Sequence, residues 1–207
     1  SFYPGAMSEA RAIELGPLGG VDLVVVSPND PAAMLRHTRE CRDRGIPFVA
    51  DPSQQLSALE PAQIRELIDG AAYQLTNEYE AALTERKTGW TGAQVLERVG
   101  VRVTTRGPQG ALIEQAGEPA LVVPVSREET RADPTGVGDA FRAGFLATRS
   151  WGASLERSAQ VGNLLATYCL ETVGTQEYEV ETSAFLERLG SSYGGSVVEE
   201  VGGYLSG

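Results

Sequence analysis

Between residues 22 and 105, short apolar runs rich in β-branched residues alternate with stretches of helical period. That alternation restricts the chain to a parallel sheet covered by helices. DLVVVS, 22–27, is continuously apolar, the pattern of a strand buried on both faces. NDPAAMLRHTRECRDRG follows as a helix: Asn29 or Asp30 caps it, Pro31 suits its first turn and Gly45 ends it. IPFVADP predicts a second strand ending at Asp51, PAQIRELIDG a short helix, and AAYQLT a third strand ending at Asn77. NEYEAALTERKTG and TGAQVLERVG predict two further helices, and VRVTTRG a fourth strand. ALIEQ and PALVVPV read as an antiparallel pair around a turn at Gly117. Helices are expected from about 138 to 150, about 154 to 172 and about 182 to 192.

The 207 residues set one domain as the prior and suffice for a sizeable core, expected over 21–192. Residues 1–20, with Pro4, Gly5, Pro17, Gly19 and Gly20, are loop-rich. The tail within 193–207, GGSVVEEVGGYLSG, is of low complexity and is expected to be poorly ordered. A net charge of −11 disfavours a nucleic-acid partner, which needs a basic face. No run reaches the ~18 apolar residues of a membrane span, and the start lacks a signal peptide's basic and apolar regions. Cys41 and Cys169 lie outside any CxxC spacing and read as buried free thiols, which suits a reducing cytoplasm. His37 is the single histidine, so a Ser-His-Asp triad is impossible. Trp90 and Trp151 read as packing residues near helix starts, and Glu199 with Glu200 as a solvated face.

In such sheets ligands sit beyond the carboxyl ends of the strands, where Asp51, Asn77 and Thr105 fall. The chain is most informative at ADPTGVGDAFRAGF, 132–145. Pro134, Gly136 and Gly138 make a turn whose bare backbone lets successive N–H groups point at one anion. The helix start behind it adds a favourable partial charge. Asp139, in the first helical turn, stays ionised and can take a proton from an attacking hydroxyl. Phosphoryl transfer needs this pair of functions. A capped helix with an incidental Asp is the simpler account, but it leaves the two glycines and the preceding Asp-Pro-Thr unexplained. The chain holds no GxxxxGK[ST], and Phe141 stands where a dinucleotide fingerprint needs Gly or Ala.

DPTGVGDAF closely resembles the C-terminal signature of the ribokinase-like, PfkB-type kinase family. The resemblance implies a three-layer α/β sandwich with a mostly parallel central sheet flanked by helices. It implies Asp139 as the base acting on a substrate hydroxyl, with Gly136, Val137 and Gly138 as the anion hole. Asn77-Glu78-Tyr79-Glu80 resembles the family's NxxE motif, in which Asn77 and Glu80 organise ATP phosphates and Mg²⁺ through water; a polar helix start also produces this pattern. Thr105-Arg106-Gly107 with Gly110 resembles the TxGxxG turn lining the nucleotide. Arg106 reads equally as a phosphate contact or a solvated loop residue. Asn163 resembles a family Asn that approaches the nucleotide. Gly174-Thr175-Gln176 stands where a loop, with Asp133 and the Thr135 carbonyl, encloses a monovalent cation, K⁺.

DPSQQL with TNEYE and KTGW resembles adenosine kinases of actinobacterial type, where adjacent glutamines read the purine. That implies base recognition by Gln54 and Gln55, since one amide can pair with adenine N6 and a ring nitrogen. Two solvated loop glutamines stand as the alternative. The implied reaction is ATP + adenosine → ADP + AMP, with Asp139 taking the ribose 5′-OH proton. A ribokinase- or fructokinase-like sugar kinase, and a nucleotide-binding fragment without turnover, are the competing readings. The family's first strands and lid find no match in the chain, so the expectation is the C-terminal portion of a longer enzyme, inactive alone, which dimerises through the lid when complete.

Overall fold

A computed structural model describes residues 5–17 and 19–205. The parts of the expected loop-rich start at residues 1–4 and 18, and the tail's last two residues, lie outside the described residues. The strands stand in the chain order β1-β2-β3-β4-β5-β6. The residues divide into two compact units. The first takes the described residues up to Thr104 together with Glu114–Ala120; the second takes Thr105–Ile113 and the described residues from Leu121 onward.

The first unit alternates as the sequence predicts: β1 (Val24–Val26), α1 (Pro31–Arg44), β2 (Phe48–Ala50), α2 (Pro61–Ile68), β3 (Tyr73–Asn77), α3 (Glu78–Thr88), α4 (Gly92–Leu96) and β4 (Val101–Thr105). β1 pairs parallel with β2, Val25 opposite Val49, and β2 parallel with β3, Ala50 opposite Gln74. Each helix has a local cause. Asp30 accepts from the Ala32 and Ala33 N–H groups, and Gly45, at φ 66°, closes α1 in the left-handed region. Between these elements Met34, Phe48, Leu56, Leu67 and Leu83 fill one apolar cluster. The start departs from the expected loop, because Gly5–Ala12 forms a 3-10 helix. It is tied down by Arg11, whose guanidinium grips Asp30 at 2.8 and 2.7 Å and holds that carboxyl below its usual range.

The second unit contains the expected antiparallel pair, β5 (Ala111–Glu114) and β6 (Leu121–Val123), with Leu112 opposite Val122. Four helices follow: α5 (Val137–Ser150), α6 (Leu155–Leu170), α7 (Thr182–Tyr193) and α8 (Gly195–Leu205). α5 and α6 approach through glycines. A Cβ on Gly144 would lie 3.0 Å from the Gly162 Cα, and one on Gly162 would lie 2.8 Å from the Phe141 carbonyl oxygen. α8 corrects the expected poorly ordered tail. Val197 and Val201, four apart, bury one stripe against Phe185 and Leu189, and Trp151 stacks on Tyr204. Glu199 and Glu200 are exposed, as expected, and Glu200 also pairs with Arg157 at 2.8 Å. Both cysteines are buried and free, as expected. Trp90 packs beneath the Arg98 and Arg65 guanidiniums, and His37 Nε2 lies 3.0 Å from the Ile13 carbonyl oxygen.

Candidate functional site

In the second unit the candidate residues gather at the start of α5. The helix opens on Gly136, at φ 84°, with no side-chain cap. α1, α3, α4, α6 and α7 each carry a side chain that accepts from their first N–H groups. The first N–H groups of a helix lack intrahelical partners, so an uncapped start keeps its donors for another acceptor. Gly136 is sterically required, since a Cβ would lie 2.9 Å from the Thr175 Cβ. Gly138 is different: its Cβ would meet only the Arg142 guanidinium, at 3.9 Å, so its bare face is open. Asp139 is exposed in the first turn and pairs with Arg142 one turn later, a partner the sequence reading missed although the i,i+3 spacing shows it.

The turn before α5 is braced by Asp133. One oxygen accepts from the Thr135 N–H at 2.9 Å and the other from the Gly174 N–H at 3.4 Å. The Thr135 hydroxyl, then these amides, hold the Asp133 carboxyl below its usual range. The Cys169 thiol lies 3.4 Å from the Thr135 carbonyl oxygen and 3.8 Å from that of Thr175, while burial and then the Asp133 and Asp139 charges push it up. Asp133, Thr135 and Gly174 thus lie together, and the Asp133 carboxylate and the Thr135 carbonyl are oxygen donors of the kind that suits a hard cation. Among the described residues no group of three or more His, Cys, Asp or Glu is placed to hold a metal.

β4 ends on Thr105, and the turn after it contains Gly107 at φ 52° and Gly110 at φ 83°. The Arg106 N–H donates to the Gly110 carbonyl at 2.7 Å and the Gly110 N–H to the Gly107 carbonyl at 3.0 Å. A Cβ on Gly110 would fall 2.0 Å from the Val123 carbonyl oxygen. Asn163, buried on α6, donates to that same oxygen at 3.3 Å and to the Pro124 carbonyl at 3.0 Å. Tyr193 also donates to Pro124, at 2.8 Å. The Asn163 amide therefore secures the end of β6, a long-range role that its sequence neighbours give no signal for.

In the first unit, Asn77 and Glu80 form a reciprocal capping box on α3. The Asn77 side chain accepts from the Glu80 N–H at 2.8 Å, and Glu80 Oε2 accepts from the Asn77 N–H at 2.9 Å. The NxxE spacing thus has a local structural cause, and Glu80 Oε1 takes a further bond from the Ser53 hydroxyl at 3.2 Å. Gln54 and Gln55 lie in the 3-10 turn Ser53–Ser57, the first exposed and the second half-buried. Asp51 is wholly buried, with the Ser27 hydroxyl donating to it at 3.0 Å.

Comparison with known proteins bears on the family and the fold. The nucleoside kinase of Methanocaldococcus jannaschii is 26% identical over 177 residues, 85% of this chain and 58% of that protein. The 2-dehydro-3-deoxygluconokinase of Escherichia coli K12 is 29% identical over 168 residues, 76% and 54% of the two chains. The structure of Burkholderia thailandensis nucleoside kinase in complex with inosine superposes with a TM-score of 0.90 at 32% identity, covering 94% of this chain and 65% of that one. The chain thus spans little more than half the length of the curated relatives it matches. Among the described residues no helix is long and apolar enough to cross a membrane. The description "pfkB family carbohydrate kinase" matches residues 1–182, and the chain belongs to that ribokinase-like family.

Proposed function

We propose that the protein carrying this chain transfers a phosphoryl group from ATP to the ribose 5′-hydroxyl of adenosine. The observation that carries the reading is the start of α5: an uncapped helix whose bare Gly138 is followed by an exposed Asp139. The N–H groups there are fixed donors that need no rearrangement as charge develops on the moving phosphoryl group. Asp139 accepts the hydroxyl proton, and Arg142 orients its carboxylate.

The donor chemistry fits the implied ions. Mg²⁺ keeps several waters, so Asn77 and Glu80 would hold it through water, and when bound it neutralises phosphate charge. K⁺ would sit on Asp133, Thr135 and Gly174. Thr105, Gly107, Gly110 and Asn163 shape backbone on the nucleotide side, Asn163 through its hold on β6. In the first unit, Gln54 and Gln55 present amides that can read adenine. Two relatives are named as nucleoside kinases, and that of Burkholderia thailandensis is solved both with inosine and with ADP-inosine, which favours a purine nucleoside over a sugar. The 2-dehydro-3-deoxygluconokinase resemblance keeps a sugar kinase as the second reading.

Turnover of adenosine, inosine, ribose and fructose by the full protein is the deciding measurement. Adenosine is expected to give the highest kcat/KM, and ribose preferred over adenosine refutes the purine reading. Asp139→Asn is expected to lower kcat by about 10²–10⁴-fold with ATP binding retained, and near-parental turnover would remove Asp139 from its role.

A further inference from the structure

Ser53 stands at φ 42°, the single left-handed residue other than glycine among the described residues. A side chain in that region is disfavoured, so surrounding contacts must hold it there. Ser53 opens the turn that carries Gln54 and Gln55. Among the described residues the hydrogen bonds that reach this turn from another element come from one helix. At the N-terminal end of α3, Glu80 Oε1 accepts from the Ser53 hydroxyl at 3.2 Å while its other oxygen is committed to the Asn77 N–H. Seven residues along α3, the half-buried Lys87 ammonium donates to the carbonyls of Leu56, Ser57 and Leu59 at 2.8, 3.1 and 2.6 Å. Seven residues are two helical turns, so Glu80 and Lys87 share a face. Leu56 and Leu59 are fully buried beneath the turn. The glutamine amides, in contrast, have no partner among the described residues.

We propose that α3 is a splint for the base-reading turn, with Ser53 and Lys87 as positioning residues for purine recognition. The proposal rests on the reading of Gln54 and Gln55 as the purine contacts. Lys87 is suited to the task because its three donors saturate the carbonyls that a short 3-10 turn leaves without helical partners. Ser53 adds a second tie: its hydroxyl donates to Glu80 Oε1, the oxygen that the α3 capping box leaves over, so the start of the glutamine turn is held to α3 while the capping box closes without it. Neither residue needs to touch the nucleoside. Each restricts the amides to the orientation in which both can pair at once, and a loosened turn must be ordered again on binding.

Steady-state kinetics of the full protein, with adenosine and ATP varied separately, test this. Lys87→Met keeps the stem and removes the donors; Ser53→Ala removes the hydroxyl and leaves the strain. Both are expected to raise the adenosine KM about tenfold, the scale of one lost polar contact, with kcat and the ATP KM within about twofold. Ser53→Asn, which tolerates the left-handed region and offers an amide donor to Glu80, is expected to restore the adenosine KM. Gln54→Ala with Gln55→Ala is the control for the underlying reading. If that pair leaves the adenosine KM unchanged, the purine reading fails and the splint with it. If the pair raises it while Ser53→Ala and Lys87→Met do not, the splint alone is overturned. A parallel rise in the ATP KM also overturns it, because that marks a general loss of structure. Should Lys87→Met fail to fold, Ser53→Ala and Ser53→Asn decide the matter.

Discussion

Glycines that look alike in the sequence do different work at the residue scale. Gly110 is excluded from bearing a side chain twice over, by φ 83° and by the Val123 carbonyl 2.0 Å from its missing Cβ. Gly138 has ordinary helical backbone and open space, with the Arg142 guanidinium 3.9 Å from where a Cβ would stand. The two alanine variants should therefore separate stability from function. Gly110→Ala is expected to cost more than about 1 kcal/mol, read as a lower urea midpoint. Gly138→Ala is expected to stay within about 0.5 kcal/mol of the parent and yet raise the ATP KM, because the added methyl occupies the bare face offered to phosphate. A Gly138→Ala protein with unaltered ATP kinetics would remove that glycine from the anion hole.

Elements are placed by what their stripes can bury. α5 and α6 carry glycines where their backbones meet, and this close approach puts Asn163 of α6 within reach of the end of β6. The carboxyl-terminal helix shows the same logic with larger side chains. Val197 and Val201 are fully buried with Phe185 and Leu189, so a segment that reads as low complexity forms an ordered element. At ~0.8 kcal/mol per buried methylene, Val201→Ala is expected to cost about 1.5 kcal/mol or more, since a cavity adds to the transfer term. An unchanged thermal midpoint for Val201→Ala would show that α8 is not docked as described.

For the whole molecule the balance is acidic, at −11, yet several carboxylates are held ionised by particular donors. Asp30 is lowered by Arg11, Asp133 by Thr135 and Glu181 by the Ser183 hydroxyl and the first amides of α7. Burial pushes Glu171 up, but the two-pronged Arg188 contact at 2.7 and 2.8 Å and the Glu129 amide outweigh it and bring it down. A carboxylate lowered in the folded state stabilises above its unfolded pKa and loses that contribution as pH falls through the folded value. Stability is therefore expected to hold near neutrality and decline as pH drops through and below about 4, the ordinary carboxylate range. Urea unfolding of Arg188→Met against pH should show a shallower acid decline than the parent. Equal slopes would mean that the Glu171 pair contributes nothing to acid stability.

Local chemistry made much of this protein legible in its sequence. The strands and helices, the α1 caps at Asp30 and Gly45, and the turn leading into Asp139 follow from periodicity, capping residues and glycine placement within a few positions of each other. Even NxxE is local, since residues three apart close a capping box. The sequence alone could not place contacts that span tens of residues. Nothing near Asn163 indicates that its amide is committed to carbonyls about 40 residues earlier. Nothing near Ser53 signals its left-handed backbone, or that Lys87 saturates the turn beside it. Those positions are set by which backbone groups the folded chain would otherwise leave without a partner. That is a property of the tertiary arrangement, whereas the glycine turn that opens α5 is legible in its own residues and in the helix that follows, even though Gly174 braces it from a distance.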